Sequence, residues 1–133
     1  MQHPEAMTEK PVTLTEKLAE VDETIEEYKK QIEVGEAIAR LEANPDYQLV
    51  ITSLYLEKEA ERITGLIVGD DFIKREQMEN IVEMGLSIRN FKQFIKYKKM
   101  DAQHAPSYIE ETLQYRQQVT DYFANQPIDA EEV

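Results

Sequence analysis

The feature that most constrains the fold is a series of apolar or small residues spaced alternately four and three positions apart. The series consists of Leu14, Leu18, Val21, Ile25, Tyr28, Ile32 and Gly35. This spacing places every member on one stripe of an α-helix, as in a coiled-coil seam. We therefore predict a long amphipathic helix, capped by Thr13 or Thr15, whose inward stripe shifts phase after Gly35 to Ile38 and Leu41.

A second helix is predicted from Pro45 to Val68. Pro45 disfavours helical geometry at the preceding residue and suits the first position of a helix, so Asn44 is expected to cap it. The short connection between the first two helices indicates a helical hairpin. Apolar residues cover more than one face of the first half of this helix, which we expect to be the most buried part of the fold. Gly69 is expected to end it in the left-handed conformation, before a turn at Asp70-Asp71.

A third helix is predicted from about residue 72 to 103, on a seam made of Ile81, Met84, Ile88, Phe91 and Ile95. Pro106 should end it near His104. Ser107 and Glu110 have the spacing of a capping box, so a fourth helix is expected to begin there and to continue to about Ala124. The predicted fold is all-α, an antiparallel helical bundle of about four helices built on a long helical hairpin. Residues 1–12 are expected to form a flexible leader, residues 13–125 the bundle domain, and residues 126–133 a flexible acidic tail.

Composition excludes several classes of protein. The 133 residues suit one domain, and the formal net charge of -12 opposes unaided binding to nucleic acid or to an anionic membrane. The chain contains no cysteine, which removes disulfides, thiolate metal sites and a cysteine nucleophile. No apolar run approaches the ~20 residues that cross a bilayer. We therefore expect a chain that folds in water and has proteins as its partners.

Residues that could perform chemistry are poorly placed. The two histidines, His3 and His104, lie in the predicted leader and beside a predicted loop. The acid pairs Glu57 with Glu61 and Glu16 with Glu20 have the spacing of solvated helix faces. The sequence contains no Gly-x-Ser-x-Gly motif, its three serines lie on predicted helices or caps, and the four glycines form no phosphate-binding loop. The sequence thus predicts no enzyme, no catalytic residue, no cofactor and no metal.

Candidate interaction residues fall into two groups. The first consists of six seam residues and three tyrosines of the predicted fourth helix: Leu14, Leu18, Val21, Ile25, Tyr28, Ile32, Tyr108, Tyr115 and Tyr122. The second is a basic stretch with no acid in it: Arg89, Lys92, Lys96, Lys98 and Lys99. Because aromatic residues interleave with this stretch, it could contact nucleic acid. The surrounding acidity favours the other interpretation, which is contact with an acidic protein surface.

Two segments of the chain share a pattern of residues with known proteins. One runs from Gly35 to Tyr47 and continues through Val50-Ile51, Tyr55-Leu56 and 59–63; the other spans residues 88–95. Together they resemble small acidic helical proteins encoded among the virion genes of tailed bacteriophages. The resemblance covers about half of the chain, and Ser53 departs from it, because a glycine is expected at that position. It implies a component or assembly factor present in many copies near the portal, inside the capsid or on the shell, and it assigns no functional residue.

Three hypotheses for the function follow. The first is a structural or assembly protein of a phage particle, which contacts portal, capsid or internal proteins as a homo-oligomer or multi-copy assembly. Such a protein would be found in the virion or in the cytoplasm of the infected bacterial host. The second is an inhibitor whose carboxylates imitate DNA and occupy the basic groove of a host enzyme. The third is an acidic adaptor for nucleic-acid machinery. Direct binding to nucleic acid and to membranes is not expected.

Overall fold

The fold is all-helical, as predicted. The computed structural model describes residues 13–69 and 75–126. Within these ranges there are three helices and no strand: α1 (Leu14–Ala43), α2 (the continuous helical run 45–68) and α3 (Arg75–Ala124). The predicted leader, the predicted turn at Asp70-Asp71 and the tail from residue 127 onward lie outside the described residues.

Helix α1 begins with a capping box. The Thr13 side-chain oxygen accepts a hydrogen bond from the Glu16 backbone N–H, and Glu16 Oε1 accepts one from the Thr13 N–H, both at 3.1 Å. The phase shift after Gly35 is confirmed at Ile38, which is buried. It is wrong at Leu41, which is 50% exposed. Glu42 is half-buried instead, because a step of four from Ile38 keeps the inward spacing.

Helix α2 is capped by Asn44, as predicted. Its Oδ1 atom accepts hydrogen bonds from the N–H groups of Asp46 at 2.8 Å and of Tyr47 at 3.1 Å. After the first turn, Pro45–Tyr47, a π-helical stretch covers Gln48–Glu59, and α-helix resumes over Ala60–Val68. A π-helix of this length is unusual, since most π-helical segments are single turns.

The burial predicted for the first half of α2 is wrong. No residue of the π-helical stretch is buried, whereas Ile63, in the second half of the helix, is 3% exposed. The physical reason is that the apolar residues lie on more than one side of the helix and only one side packs against a neighbouring helix. Tyr55 contacts Phe91 there, whereas Leu49, Val50 and Leu54 are exposed.

Gly69 ends α2 in a different conformation from the one predicted. Its φ is -70° and its ψ is 147°, which is extended backbone and not the left-handed region. The Gly69 N–H donates to the Gly65 carbonyl oxygen at 2.8 Å. A Cβ at position 69 would lie 2.6 Å from that oxygen, so the position favours glycine for steric reasons.

Helix α3 is one helix where the sequence predicted two. It continues through Pro106 to Ala124, and the described structure has no hydrogen bond between Ser107 and Glu110. The inward residues keep the spacing of three and four across the proline: Ala102, Ala105, Ile109, Thr112, Arg116 and Val119. Ala105 is fully buried. Packing around Ala105, in the terminal unit, offsets the hydrogen bond that Pro106 cannot donate.

The described residues belong to two compact units. The terminal unit contains residues 13–30 and 105–126 of the described chain. In it, the two helical segments run antiparallel: Asp22 pairs with Arg116, and the Tyr28 ring lies 5.5 Å from the Tyr108 ring. Its buried hydrophobic residues are Val21, Ile25, Ala105 and Val119.

The central unit contains residues 31–69 and 75–104 of the described chain. Its contacts are ordered along α3: Gly35 faces Ala102, Glu42 pairs with Lys99, Tyr55 stacks edge-on against Phe91, and Ile63 faces Gly85. As the residue numbers rise along α1 and α2, the numbers of their partners on α3 fall. The end of α1 and then α2 therefore pack in succession, antiparallel, on the same helix. This differs from the predicted hairpin, in which α1 and α2 would pack chiefly against each other.

Candidate functional site

The six seam residues proposed for protein interaction lie on the inner side of α1. Val21 and Ile25 are buried, at 6% and 7% exposure, and Leu14, Leu18, Tyr28 and Ile32 are half-buried. Buried side chains are not available to another molecule. Val21 and Ile25 therefore pack inside the chain, whereas Leu14, Leu18, Tyr28 and Ile32 keep part of their surface accessible, and an interaction role for these four and for the tyrosines stays a prediction.

The three tyrosines predicted to form an interaction strip are exposed. Tyr108 and Tyr115 are 43% exposed, and Tyr122 is 61% exposed. They are seven residues apart on α3, which places them along one side of that helix. Two shallow cavities of about 320 and 390 Å³ adjoin Tyr115 and share Lys17 as a lining residue. Tyrosine side chains in such positions offer a rigid apolar ring together with a polar tip.

An ion pair connects the two helical segments of the terminal unit. Arg116 Nε donates a hydrogen bond to Asp22 Oδ1 at 2.8 Å. This hydrogen bond, and to a lesser extent the positive charge of Arg116, hold the pKa of the Asp22 carboxyl below its ordinary value of 3.8, while partial desolvation opposes the shift.

The lowered pKa predicts how stability depends on pH. A carboxyl whose pKa is lower in the folded state contributes stability above its unfolded value of 3.8 and loses it as the pH falls through the folded value. We expect urea denaturation to show a larger acid-induced loss of unfolding free energy in the wild type than in Asp22→Asn. Arg116→Gln should resemble Asp22→Asn, because it removes the same hydrogen bond. Identical losses in all three proteins would contradict the assignment.

The basic stretch lies in the central unit, where its members have different surroundings. Lys99 Nζ pairs with Glu42 Oε1 at 2.7 Å, and Lys98 Nζ lies 5.5 Å from the centre of the Phe94 ring. Arg89, Lys92 and Lys96 are exposed, and no ion pair to any of these three is found among the described residues. The stretch thus contains two cations with a partner in the chain and three exposed cations without an ion pair among the described residues.

Lys92, Lys96 and Lys99 line one cavity of about 390 Å³, which we call the basic groove. Its apolar lining comes from α2 and α3 and consists of Leu56, Phe91, Ile95 and Met100. The ring of Tyr55 meets Phe91 edge-on, with ring centres 6.0 Å apart, which fixes the orientation of Phe91. The groove therefore combines apolar side chains with three lysines and one glutamate, Glu42, which pairs with Lys99.

An apolar patch that the sequence pattern did not predict lies on α2. Leu49, Val50 and Leu54 are 60%, 52% and 49% exposed, respectively. In a helix whose hydrogen bonds join residues five apart, these three residues lie on the same side. A usable signal was present in the sequence, because apolar residues on more than one face of a helix need more than one packing partner.

The described residues contain no group of three or more His, Cys, Asp or Glu side chains that could hold a metal ion. Ser87 donates its hydroxyl to the Glu83 carbonyl oxygen at 3.0 Å, and His104 is exposed. Within the described ranges, no helix combines the length and apolar character required for a membrane span.

Comparisons with known proteins add no further constraint. No family model, no curated protein and no solved structure matches the chain.

Proposed function

We propose that the chain is a non-enzymatic structural or assembly protein of a bacteriophage particle and that it acts through contacts with other proteins. The observation that carries the proposal is the apolar patch of Leu49, Val50 and Leu54 on α2, each about half exposed or more. Contiguous exposed apolar surface favours association, because its burial removes it from water. The resemblance of residues 35–63 and 88–95 to phage virion-gene products supplies the particle context.

The partners we propose are virion components such as portal, capsid or internal proteins, together with further copies of the chain. The protein would then reside in the virion or in the cytoplasm of the infected host. In this proposal, an antiparallel bundle of about four helices forms on association, when the helices of one copy cover the exposed apolar residues of another.

The proposal predicts that the chain is part of the particle. Mass spectrometry of purified mature and immature particles should find it at a fixed ratio to the major shell protein. Leu49→Gln combined with Leu54→Gln should reduce its incorporation about tenfold or more, because the apolar contribution of the patch to binding is lost.

The matched control is Leu41→Gln combined with Leu113→Gln, which removes two leucines that are each 50% exposed on other parts of the surface. Circular dichroism should confirm that both variants remain helical. Absence of the wild-type chain from every particle would reject the proposal, and equal incorporation of both variants would reject the role of the patch.

A DNA-mimic inhibitor of a host DNA-binding enzyme is the second candidate. It is favoured by the exposed carboxylates of Glu20, Glu23 and Glu27, which recur on α1 at three- and four-residue intervals. Rows of negative charge can occupy a basic groove that normally holds phosphates. The particle experiment separates the two candidates, because an inhibitor of this kind would be found with the host enzyme and not in the particle.

A further inference from the structure

We propose that the basic groove of the central unit is a docking site for the terminal unit of a second copy, through Tyr115, Tyr122 and the acids beside them. This inference rests on the proposed assembly function and specifies one of its contacts. The exposed residues Tyr115 and Tyr122, with Glu20 and Glu111, which line the cavity beside Tyr115, are called the tyrosine face.

The basic groove contains lysines that no acid among the described residues pairs with. Lys99 is paired with Glu42, but Lys92 and Lys96 have no ion-pair partner among the described residues. The tyrosine face carries the carboxylates of Glu20 and Glu111. Lysines without an ion-pair partner form a local site for an anionic surface, and these two carboxylates provide the opposite charge on a second copy.

The basic groove also has an apolar lining. Leu56, Phe91, Ile95 and Met100 line the groove together with the lysines, and Met100 is 41% exposed. Phosphate groups of a nucleic acid would pair with the lysines but would not cover this apolar lining. Tyrosine rings would cover it, and they are among the side chains that contribute most to protein interfaces.

The basic groove and the tyrosine face have matching lengths. Tyr115 and Tyr122 are separated by seven residues on a helix, which corresponds to about 10.5 Å. Lys92, Lys96 and Lys99 also span a seven-residue interval of α3. The row of lysines on one copy and the pair of tyrosines on another are therefore equally long and can align. Glu20 and Glu111 of the tyrosine face outnumber Lys17, the one cation among the described residues that line the two cavities beside Tyr115.

A contact of this kind would allow many copies to assemble. The groove and the tyrosine face are different surfaces of one chain, so the contact is head-to-tail. Head-to-tail contacts produce rings when the rotation closes and open filaments when it does not. Each copy would have one groove and one tyrosine face, and assembly could continue beyond two copies.

The test is a charge-swap experiment on the full chain, with analytical ultracentrifugation over a range of concentrations. We expect wild-type self-association, which Lys92→Glu with Lys96→Glu should weaken about tenfold or more. Lys29→Glu with Lys30→Glu is the matched control: it makes the same change in net charge at exposed sites on α1 and should shift the dissociation constant less than about threefold. Glu20→Lys with Glu111→Lys should weaken self-association as the groove variant does.

The deciding sample is an equimolar mixture of the Lys92→Glu/Lys96→Glu and Glu20→Lys/Glu111→Lys proteins. The mixture should associate, since reversed charges meet across the contact, while each protein alone remains largely monomeric. A wild-type chain that is monomeric at all concentrations would overturn the inference, as would a mixture that fails to associate. A fluorescent single-stranded oligonucleotide that the wild type binds and the groove variant releases would reassign the groove to nucleic acid. A monomeric chain that is still found in particles would reject this contact and leave the proposed function standing.

Discussion

Gly35→Ala is expected to destabilise the protein, although alanine is the better helix former. Gly35 faces Ala102 in the central unit, and a Cβ on Gly35 would overlap the Cβ of Ala102. The two helices can approach this closely only because one position has no side chain. We expect the substitution to lower the unfolding free energy by about 1–3 kcal/mol, the usual cost of overpacking, as measured by urea denaturation.

Two further variants make this result specific. A Cβ on Gly65 has nothing within 4 Å, so Gly65→Ala should raise the unfolding free energy by up to about 1 kcal/mol through helix propensity alone. The double variant Gly35→Ala with Ala102→Gly exchanges the methyl group between the helices and should return close to the wild type. A Gly35→Ala variant that is as stabilising as Gly65→Ala would contradict the close approach of α1 and α3 at this position.

The parts of the fold that could be predicted from the sequence depend on local interactions. The seam of α1 follows from residue spacing, and the structure buries Val21 and Ile25 on it. The Asn44 cap follows from the chemistry of two adjacent residues, because proline fixes the helix start and an amide oxygen can accept the unpaired N–H groups. No long-range contact is needed for either inference.

The parts that could not be predicted depend on which side of each helix packs against a neighbouring helix. Leu49, Val50 and Leu54 have an apolar composition typical of a core, but burial requires a second helix on their side, and the described residues place α3 on the other. For the same reason, the sequence identified Lys92 and Lys96 as part of a basic stretch without revealing the groove. The groove exists only because α2 brings Leu56 to α3.

Pro106→Ala is the second large expected effect, and it tests the clearest disagreement between sequence and structure. Pro106 lies inside α3, where it cannot donate a hydrogen bond to the carbonyl four residues earlier. Proline is about 3 kcal/mol less favourable than alanine in a helix interior. Part of this gain is offset because alanine makes the unfolded chain more flexible, by about 0.4–1 kcal/mol. We therefore expect Pro106→Ala to raise the unfolding free energy by about 2–3 kcal/mol.

Two controls decide between one helix and two. Pro45→Ala removes a proline from the first position of α2, where proline is tolerated, so it should change stability little or reduce it slightly. Ser107→Ala should be nearly neutral in a continuous helix, whereas it would cost about 1 kcal/mol if Ser107 capped a separate fourth helix. A neutral Pro106→Ala together with a destabilising Ser107→Ala would therefore support two helices that meet at Pro106. A stabilising Pro106→Ala with a neutral Ser107→Ala requires the continuous helix, because only an interior position gains a backbone hydrogen bond when proline is replaced.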